Sequence, residues 1–172
     1  MDTKTTGVDT AKDEIIEIAC ILTDFDLKEI DRKAMKVGFD YAKMTPQAQA
    51  KNGFTKEAWD KEAKEFRIFV NWLKQKTPFR SVWVPCGHNV GFDIALIKKA
   101  FAKSTAFCPF SYRMIDSVGL AGVLKIAKKI GVENLKLDTV ASALKCGEPN
   151  HTAEKDCEAV VGIVRQVVGM LK

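Results

Sequence analysis

Apolar residues recur along the chain with two different spacings, which predict a mixture of strands and helices. Residues 15–22 form a nearly continuous apolar run rich in β-branched side chains, which predicts a buried strand. After a polar turn at 24–31, further strands are predicted at residues 35–41, 81–86 and 112–115. Helix-spaced apolar residues and helix-start residues predict helices at 45–52, 56–76, 91–103, 117–130, 135–144 and 152–171. Strands that first follow one another and then alternate with helices indicate an α/β fold with a mixed sheet.

Length and composition predict one globular domain spanning residues 1–172. Of the 172 residues, 47% are hydrophobic and 28% are charged, which is ordinary for a globular protein. No apolar run approaches the roughly 18 residues of a membrane helix. No secretory leader is recognisable either, so we expect a cytoplasmic protein without membrane contact. The five cysteines form no C-x-x-C pair and are expected to be reduced thiols. The net charge of +5 fits a nucleic-acid partner without requiring one.

Three polar motifs interrupt the apolar pattern and carry the candidate chemistry. They are Asp2-Thr3-Lys4-Thr5-Thr6-Gly7, His88-Asn89-Val90-Gly91-Phe92-Asp93, and His151 followed by Asp156. Each motif taken alone has a structural explanation: a polar turn, an aspartate at a helix start, and a helix-capping region with a solvated acid. On a strand, a spacing of two places the first motif's aspartate and lysine on one face. The threonine-threonine-glycine turn offers hydroxyls and backbone N–H groups to a phosphate or a terminal sugar.

Taken together, three aspartates and a histidine are the groups that metal-dependent phosphodiester cleavage requires. Two divalent ions about 3.5–4 Å apart activate water, stabilise the leaving oxygen and neutralise the phosphate. Mg²⁺ and Mn²⁺ prefer oxygen ligands, so the protein must bring several carboxylates together. A histidine can take the proton of the attacking water because its pKa lies near neutral pH.

The motifs resemble those of the DEDDh family of 3′→5′ exonucleases. This family includes the proofreading subunit of bacterial replicative polymerase, ribonuclease T and oligoribonuclease. Its motifs read Asp-x-Glu-Thr-Thr-Gly, His-Asn-x-x-Phe-Asp and His-x4-Asp, in the order found here. Residues 13–19, 52–55 and 115–117 also resemble family segments. The resemblance extends over nearly the whole chain.

The resemblance implies a ribonuclease H-like fold, with a five-stranded mixed sheet flanked by helices. It implies that Asp2 bridges two Mg²⁺ or Mn²⁺ ions, that Asp156 holds the first ion and that Asp93 acts on the second, partly through water. By the same resemblance His151 is the general base, whereas His88 is structural. The terminal nucleotide is expected to rest against the cradle residues, which are Thr5, Thr6, Gly7, Val8 and Phe92.

The expected substrates are 3′ ends of single-stranded DNA or RNA, with release of nucleoside monophosphates. The choice between DNA and RNA stays open, and so does a DNA polymerase as partner. Two further functions are weighed against the exonuclease. One is a catalytically silent relative that binds a 3′ end or a polymerase without cutting, and the other is a metal-binding or scaffold role without nuclease activity.

Lys4 departs from the family pattern because it stands where the family has a metal-binding glutamate. Three aspartates and one lysine carry a net formal charge of −2, which balances one divalent ion rather than two. A pair of unit charges about 4 Å apart interacts by roughly 4 kcal/mol at an effective dielectric constant near 20. We therefore expect weak metal binding and impaired hydrolysis, with Lys4 paired to Asp2 or Asp156 in the place of a cation. In the alternative, Lys4 points to solvent and a nearby acid such as Asp9 or Glu14 replaces the glutamate.

A second departure concerns the first strand, since only Met1 precedes Asp2. Either upstream residues are missing from this sequence, or the first strand is shortened and residues 3–6 carry the pairing. A central strand that is lost should expose sheet edges and lower stability.

Two lysine clusters and three aromatic residues also have two interpretations. The lysines could guide a phosphate backbone, but we favour a solvated helix face for both clusters. The first cluster is Lys98, Lys99 and Lys103, and the second is Lys125, Lys128 and Lys129. Trp59, Phe66 and Phe69 are expected in the core rather than as stacking platforms for bases.

Overall fold

A computed structural model describes residues 1–171 as five strands and seven α-helices. The strands are β1 (Asp2–Thr5), β2 (Ile15–Thr23), β3 (Glu29–Lys36), β4 (Cys86–Gly87) and β5 (Ile115–Asp116). The helices are α1 (Pro46–Asn52), α2 (Lys56–Glu62), α3 (Arg67–Lys76), α4 (Val90–Lys103), α5 (Ser117–Ile126), α6 (Leu137–Leu144) and α7 (Ala153–Met170). A short 3₁₀ helix at Tyr41–Lys43 precedes α1.

The strands form two hydrogen-bonded groups. β1, β2 and β3 make an antiparallel sheet with β2 in the middle, and β4 pairs with β5 in parallel. The terminal ammonium of Met1 donates to the carbonyl oxygen of Cys86 over 2.7 Å and joins the start of β1 to β4. The α/β fold class is thereby confirmed. The five expected strands are present as a three-stranded and a two-stranded group, and β1 is short.

Helix ends follow the residue types that predict them. The hydroxyls of Thr45, Thr55 and Thr152 accept from backbone N–H groups in the first turns of α1, α2 and α7. Pro46 occupies the first position of α1, where no donor is needed. Gly53 ends α1 with a φ of 62°, a left-handed conformation that glycine adopts without steric cost.

The predicted second strand at 35–41 is wrong in position. β3 covers Glu29–Lys36 instead, and most of the predicted turn at 24–31 belongs to the hairpin and to this strand. Within the described sheet β3 pairs with β2 and lies at the edge, and five of its eight residues are charged. This polar edge sequence, Glu-Ile-Asp-Arg-Lys-Ala-Met-Lys, has the composition of a turn and hides the strand.

The single helix predicted at 56–76 is wrong as well, since it consists of α2 and α3 with a break between them. Ala63 adopts an extended conformation at the end of α2. Lys64 N–H then donates to the carbonyl oxygen of Lys36, and the N–H of Gly38 donates back to the Lys64 carbonyl, both over 3.0 Å. Pairing with the end of β3 satisfies these backbone groups and overrides the helical preference of the segment. Of the other predicted elements, α1, α5, α6 and α7 are shorter than predicted, whereas β2 and α4 are each one residue longer. The strands predicted at 81–86 and 112–115 overlap the observed β4 and β5 by one residue each.

The main core lies between the antiparallel sheet and helices α3 and α4. Ile18, Phe69, Leu73, Ile97 and Phe101 are almost fully buried in it. A second apolar cluster joins α5, α6 and α7, with residues such as Val140 and Ile163. The predicted core positions of Trp59 and Phe69 are confirmed, and Phe66 packs partly buried against the main core.

The N-terminus of α7 is fixed against the sheet by two sets of polar contacts. Glu17 on β2 accepts a hydrogen bond from the N–H of Ala153 over 3.1 Å. Arg32 on β3 contacts Glu158 over 2.7 Å and Glu154 over 3.4 Å. These contacts determine where the third motif meets the first.

The expectations about cysteines and membrane-spanning helices can be compared with residues 1–171. All five cysteines are free thiols in this part of the chain, as expected. Among the helices described, none is both long and apolar enough to cross a bilayer.

Two glycines of α7 give a paired stability prediction. A Cβ at Gly162 would lie 2.8 Å from the Cβ of Cys146 and 3.0 Å from its carbonyl oxygen, whereas a Cβ at Gly169 meets nothing within 4 Å. We expect Gly162→Ala to lower the free energy of unfolding by about 1–2 kcal/mol, because overpacking outweighs the gain in helix propensity. Gly169→Ala should raise it by up to about 1 kcal/mol. Urea unfolding checks both, and an equal gain for the two variants would contradict the close approach of α7 to residue 146.

Candidate active site

The three sequence motifs meet at one large cavity. Its volume is about 1080 Å³, and β1, the start of α4 and the start of α7 contribute to its walls. Nearly all of the predicted site residues line it, namely Asp2, Thr5, Gly7, Val8, Phe92, Asp93, His151 and Asp156. The carboxylates that stand far apart in the sequence are therefore brought to a common space.

Lys4 lies between two of these carboxylates. Its Nζ is 2.6 Å from Oδ2 of Asp156, to which it donates a hydrogen bond, and 2.8 Å from Oδ2 of Asp2. Only 9% of Lys4 is exposed. The expected pairing of Lys4 with Asp2 and Asp156 is thus confirmed, and the alternative in which Lys4 points to solvent is wrong.

Asp93 is held by the first motif. Its Oδ1 accepts from the N–H of Thr3 over 2.8 Å and from the Thr3 hydroxyl over 2.7 Å. Asp93 lies in the first turn of α4, but these bonds point its carboxylate at β1 rather than at its own helix. The contact fixes the second motif against the first.

Burial and like charge shift the pKa values of the acids. Burial raises the pKa of Asp2 to about 7, with Lys4 opposing the shift and Asp93 and Asp156 adding to it. Burial likewise raises the pKa of Asp93 against the effect of its bonds from Thr3. For Lys4, burial by itself would lower the pKa, but the negative charges of Asp2 and Asp156 outweigh burial and raise it. The ammonium therefore stays charged at neutral pH.

This arrangement does not fit two divalent ions. Within residues 1–171, no three side chains among His, Cys, Asp and Glu are placed to hold one ion together. The ammonium of Lys4 lies against two of the three aspartates, where an ion would have to bind. A divalent ion would have to displace this ammonium and overcome its charge.

The turn after β1 divides into cavity-facing and structural residues. Thr5 and Gly7 line the cavity, and the Thr5 hydroxyl donates to the Gly7 carbonyl over 2.6 Å. Thr6 does not line it, contrary to expectation. Its buried hydroxyl donates to Oδ1 of Asp13 over 2.9 Å and accepts from the N–H of Glu14 over 3.0 Å. A Cβ on Gly7 would lie 2.5 Å from Oδ2 of Asp13, so the glycine lets the turn close on this carboxylate.

The two histidines have different surroundings. His151 is exposed at the cavity, just before α7, with a φ of 65°. The ring of His88 is tied down on both sides, because Nε2 donates to the carbonyl oxygen of Leu135 over 2.8 Å and Nδ1 lies 2.9 Å from the hydroxyl of Ser117. Burial lowers the pKa of His88. These contacts agree with the structural interpretation of His88.

Several residues at the site were not found from the sequence. Asn52 donates from Nδ2 to the carbonyl oxygen of Thr5 over 2.9 Å, and Asp116 accepts from the N–H groups of Asn89 and Val90 at the start of α4. The cavity wall also includes Gln47, Lys51, Lys136 and Asp138. Residues 52 and 116 lie in segments that resemble the family, which was the one signal available for them.

The two lysine clusters singled out in the sequence lie outside the cavity lining. Lys99 donates to the carbonyl oxygens of Thr10 and Asp13 and so supports the loop behind the first motif. Lys103 contacts Glu14 over 3.0 Å. Lys125 donates to the Glu133 carbonyl over 3.2 Å, and Lys98, Lys128 and Lys129 are exposed. A solvated or structural role therefore fits these lysines better than one as guides for a phosphate backbone.

The raised pKa of Asp2 predicts how stability depends on pH. Between the usual value of 3.8 and about 7, the folded chain keeps a proton that the unfolded chain has lost. The contribution of Asp2 to the free energy of unfolding therefore falls as pH rises through this range. In EDTA, the free energy of unfolding of Asp2→Asn should fall less steeply between pH 5 and pH 8 than that of the unaltered protein. Urea unfolding measures it, with Asp26→Asn in the exposed β2–β3 turn as control. Parallel curves for Asp2→Asn and the unaltered protein would refute the assignment.

Comparison with known proteins gives the chain a family. The family model RNase_T, described as an exonuclease, matches residues 1–164. No curated protein sequence matches the chain.

Solved structures of Exonuclease I share the fold. E. coli Exonuclease I in complex with a 5cy-dT13 oligonucleotide is 17% identical with a TM-score of 0.77, and the match covers 98% of this chain and 39% of that one. A moderately thermophilic Exonuclease I from Methylocaldum szegediense is also 17% identical, with a TM-score of 0.78 and the same coverage. A product-bound Exonuclease I has a TM-score of 0.80 at 17% identity, covering 98% of this chain and 42% of that one.

This chain thus spans about two fifths of the length of these structures. Their low sequence identity shows the fold alone, whereas the family model covers almost the entire sequence. The chain therefore belongs to the exonuclease family, as its three motifs predict.

Proposed function

We propose that residues 1–172 form a single 3′→5′ exonuclease domain that holds the 3′ end of a single-stranded nucleic acid in the cavity and hydrolyses it slowly. The observation that carries this proposal is the ammonium of Lys4 between Asp2 and Asp156, within the cavity that the three motifs share. The convergence of the motifs supports binding of a strand end. The position of Lys4 supports impaired cutting.

The walls of the cavity suit a terminal nucleotide. Thr5, Gly7 and Val8 supply polar backbone and small side chains on one side, and Phe92 supplies an aromatic ring. Val8 is highly exposed, which suits contact with a base or sugar. E. coli Exonuclease I has been solved with dT13 and dA16 oligonucleotides, which favours DNA as the first substrate to test, with RNA as the second. A polymerase partner remains a prediction from the resemblance.

In the proposed reaction His151 takes the proton of the attacking water. Its support is an exposed position at the cavity just before α7, the helix whose first turn carries Asp156. Asp93, fixed by Thr3, orients the first motif toward the strand end. In the family, Mg²⁺ or Mn²⁺ would supply charge neutralisation, but these residues do not fit two such ions. We therefore assign the low rate to the lack of that neutralisation.

The second candidate is a catalytically silent domain that binds a 3′ end. The observation that favours it is again Lys4, which forms ion pairs with both Asp2 and Asp156. Of the three aspartates, this leaves only Asp93 without a contact to the lysine. Slow cutting yields shortened oligonucleotides, whereas binding without cutting leaves the oligonucleotide intact. The two candidates can therefore be separated by their products.

Metal binding should depend on Lys4. Isothermal titration with Mn²⁺ should show no pair of tight sites in the unaltered protein, and Lys4→Glu should bind Mn²⁺ more tightly because an ammonium is replaced by a fourth carboxylate. Mn²⁺ should also raise the melting temperature of Lys4→Glu, since a ligand that binds only the folded state stabilises it. Lys28→Glu makes the same charge change at an exposed turn and serves as control. Two tight sites in the unaltered protein would contradict the proposal.

Hydrolysis should respond to the same substitution. With a 5′-labelled single-stranded oligonucleotide and Mn²⁺, we expect Lys4→Glu to shorten the substrate from its 3′ end at least about tenfold faster than the unaltered protein, a difference of about 1.4 kcal/mol in the barrier. Adding Asp93→Ala to Lys4→Glu should remove the activity. If the unaltered protein cuts as fast as Lys4→Glu, Lys4 does not impair it. Binding of intact oligonucleotide without any ladder would favour the silent candidate.

A further inference from the structure

Two segments of the chain that lead into β4 and β5 carry many exposed apolar side chains. These paired segments are residues 77–85 and 107–115. Six of their large apolar side chains are at least 40% exposed, namely Phe79, Val82, Val84, Tyr112, Met114 and Ile115. None of the six lines the cavity that the three sequence motifs share. The proposed strand-end site therefore does not account for their exposure.

Backbone hydrogen bonds hold the paired segments side by side. The N–H of Trp83 donates to the carbonyl oxygen of Pro109, and the N–H of Ser111 donates back to the Trp83 carbonyl, both over 2.8 Å. The N–H of Ile115 donates to the carbonyl oxygen of Pro85 over 2.9 Å. Exposed apolar residues that are scattered singly need no explanation, but their concentration on neighbouring segments indicates an interaction surface.

Each segment also presents an arginine against an aromatic ring. Cζ of Arg80 lies 5.2 Å from the ring centroid of Phe79, and Cζ of Arg113 lies 5.0 Å from that of Tyr112. Neither arginine forms an ion pair within residues 1–171. Stacking on a ring holds a guanidinium in place and leaves its N–H groups at the edge of the plane for a carboxylate.

The charge of the paired segments has one sign. Residues 77–85 and 107–115 contain two arginines and no aspartate, glutamate or lysine. Asp116 follows directly, but its carboxylate accepts from the N–H groups of Asn89 and Val90 at the start of α4. A second copy of this chain on the same surface would bring two more arginines. A partner that carries carboxylates supplies the missing countercharge.

The exposed side chains favour a protein as this partner over a nucleic acid. Single-stranded nucleic acid is held by aromatic rings on which bases stack and by cations along its backbone. Only two of the six exposed apolar side chains are aromatic, and the paired segments hold two cations. Aromatic residues, methionine and arginine are the residue types enriched at protein–protein interfaces.

We propose that the paired segments dock a segment of another protein that carries both carboxylates and apolar side chains. Its apolar side chains pack against residues such as Val84 and Met114, which water now contacts. Its carboxylates pair with the guanidinium groups of Arg80 and Arg113, whose fork of N–H groups matches a carboxylate. This docking surface lies outside the cavity, so the proposal goes beyond strand-end binding and does not depend on it.

The test uses two peptides that differ only in charge. The acidic probe is acetyl-Glu-Leu-Asp-Phe-Glu-Leu-Asp-Val-amide, and the basic probe has lysine at each acidic position. Each is titrated into the ¹⁵N-labelled chain, and binding is followed by the amide signals in NMR spectra. The acidic probe should shift signals of residues 77–84 and 107–115, and added salt should weaken its binding. The basic probe should shift none of these signals.

Charge reversal assigns the preference to the two arginines. Combining Arg80→Glu with Arg113→Glu should weaken binding of the acidic probe at least about tenfold, which corresponds to about 1.4 kcal/mol. The same variant should bind the basic probe instead. Lys28→Glu combined with Lys61→Glu makes an equal change in net charge at exposed positions and should keep the preference of the unaltered protein. Circular dichroism shows whether the variants are folded, and the comparison of probes in the unaltered protein stands without them.

The outcomes separate this proposal from the proposed function. No shift with the acidic probe, equal binding of both probes, or shifts outside the paired segments would overturn the docking surface. Tighter binding of oligodeoxythymidylate at the same signals would assign the surface to nucleic acid and overturn it too. Shifts that grow with protein concentration alone would assign it to a second copy, again against the proposal. Oligonucleotide shifts confined to the cavity residues would support the proposed function and assign the paired segments a separate partner.

Discussion

The ammonium of Lys4 determines the electrostatics of the cavity, because among residues 1–171 it is the cation that contacts the acids brought together by the fold. Asp2 and Asp156 come from opposite ends of the chain, and each lies within 2.8 Å of this nitrogen. Without a positive charge the three aspartates would repel one another in a buried site, where screening by water is weak. A metal ion and a lysine both relieve that repulsion. The lysine is permanent, however, and it carries half the charge of a divalent ion while offering hydrogen-bond donors.

The fold makes this contact rigid through supports that lie outside the motifs. Glu17 stands opposite Lys4 in the register of β1 and β2, and its carboxylate accepts from the first residue of α7. One β2 residue therefore connects the strand that carries the lysine to the helix that carries Asp156. Asp116 on β5 fixes the start of α4, the helix that carries Asp93, since it accepts from the N–H groups of Asn89 and Val90. These hydrogen bonds outside the motifs explain how distant segments hold charged groups within hydrogen-bond distance of one another.

The sequence predicted the parts that depend on local chemistry. Threonine caps, a proline and a glycine marked the ends of α1, and the motifs marked the carboxylates that meet. The prediction failed where tertiary pairing decides the structure. β3 is an edge strand rich in charged residues, so its sequence resembles a turn, and the pairing of Lys64 with the end of β3 splits a segment with helical periodicity. Thr6 belongs to a family motif, yet its hydroxyl is bound to Asp13, a pairing that the spacing of the two residues does not indicate. The pairing of Lys4 was predictable because charge balance left few alternatives.

Membership in a family does not by itself establish the chemistry of a site. In this chain the two conclusions differ because of one residue, Lys4. The family model rests on the whole pattern of residues 1–164, so a single substitution hardly affects it. Catalysis by two ions depends on a charge count, which the same substitution changes by two units, from a carboxylate to an ammonium. The geometry of Asp2, Asp93 and Asp156 can therefore persist while its chemical use changes. A site that keeps its acids but carries its own cation does not need an ion to offset their repulsion, since Lys4 already partly neutralises Asp2 and Asp156.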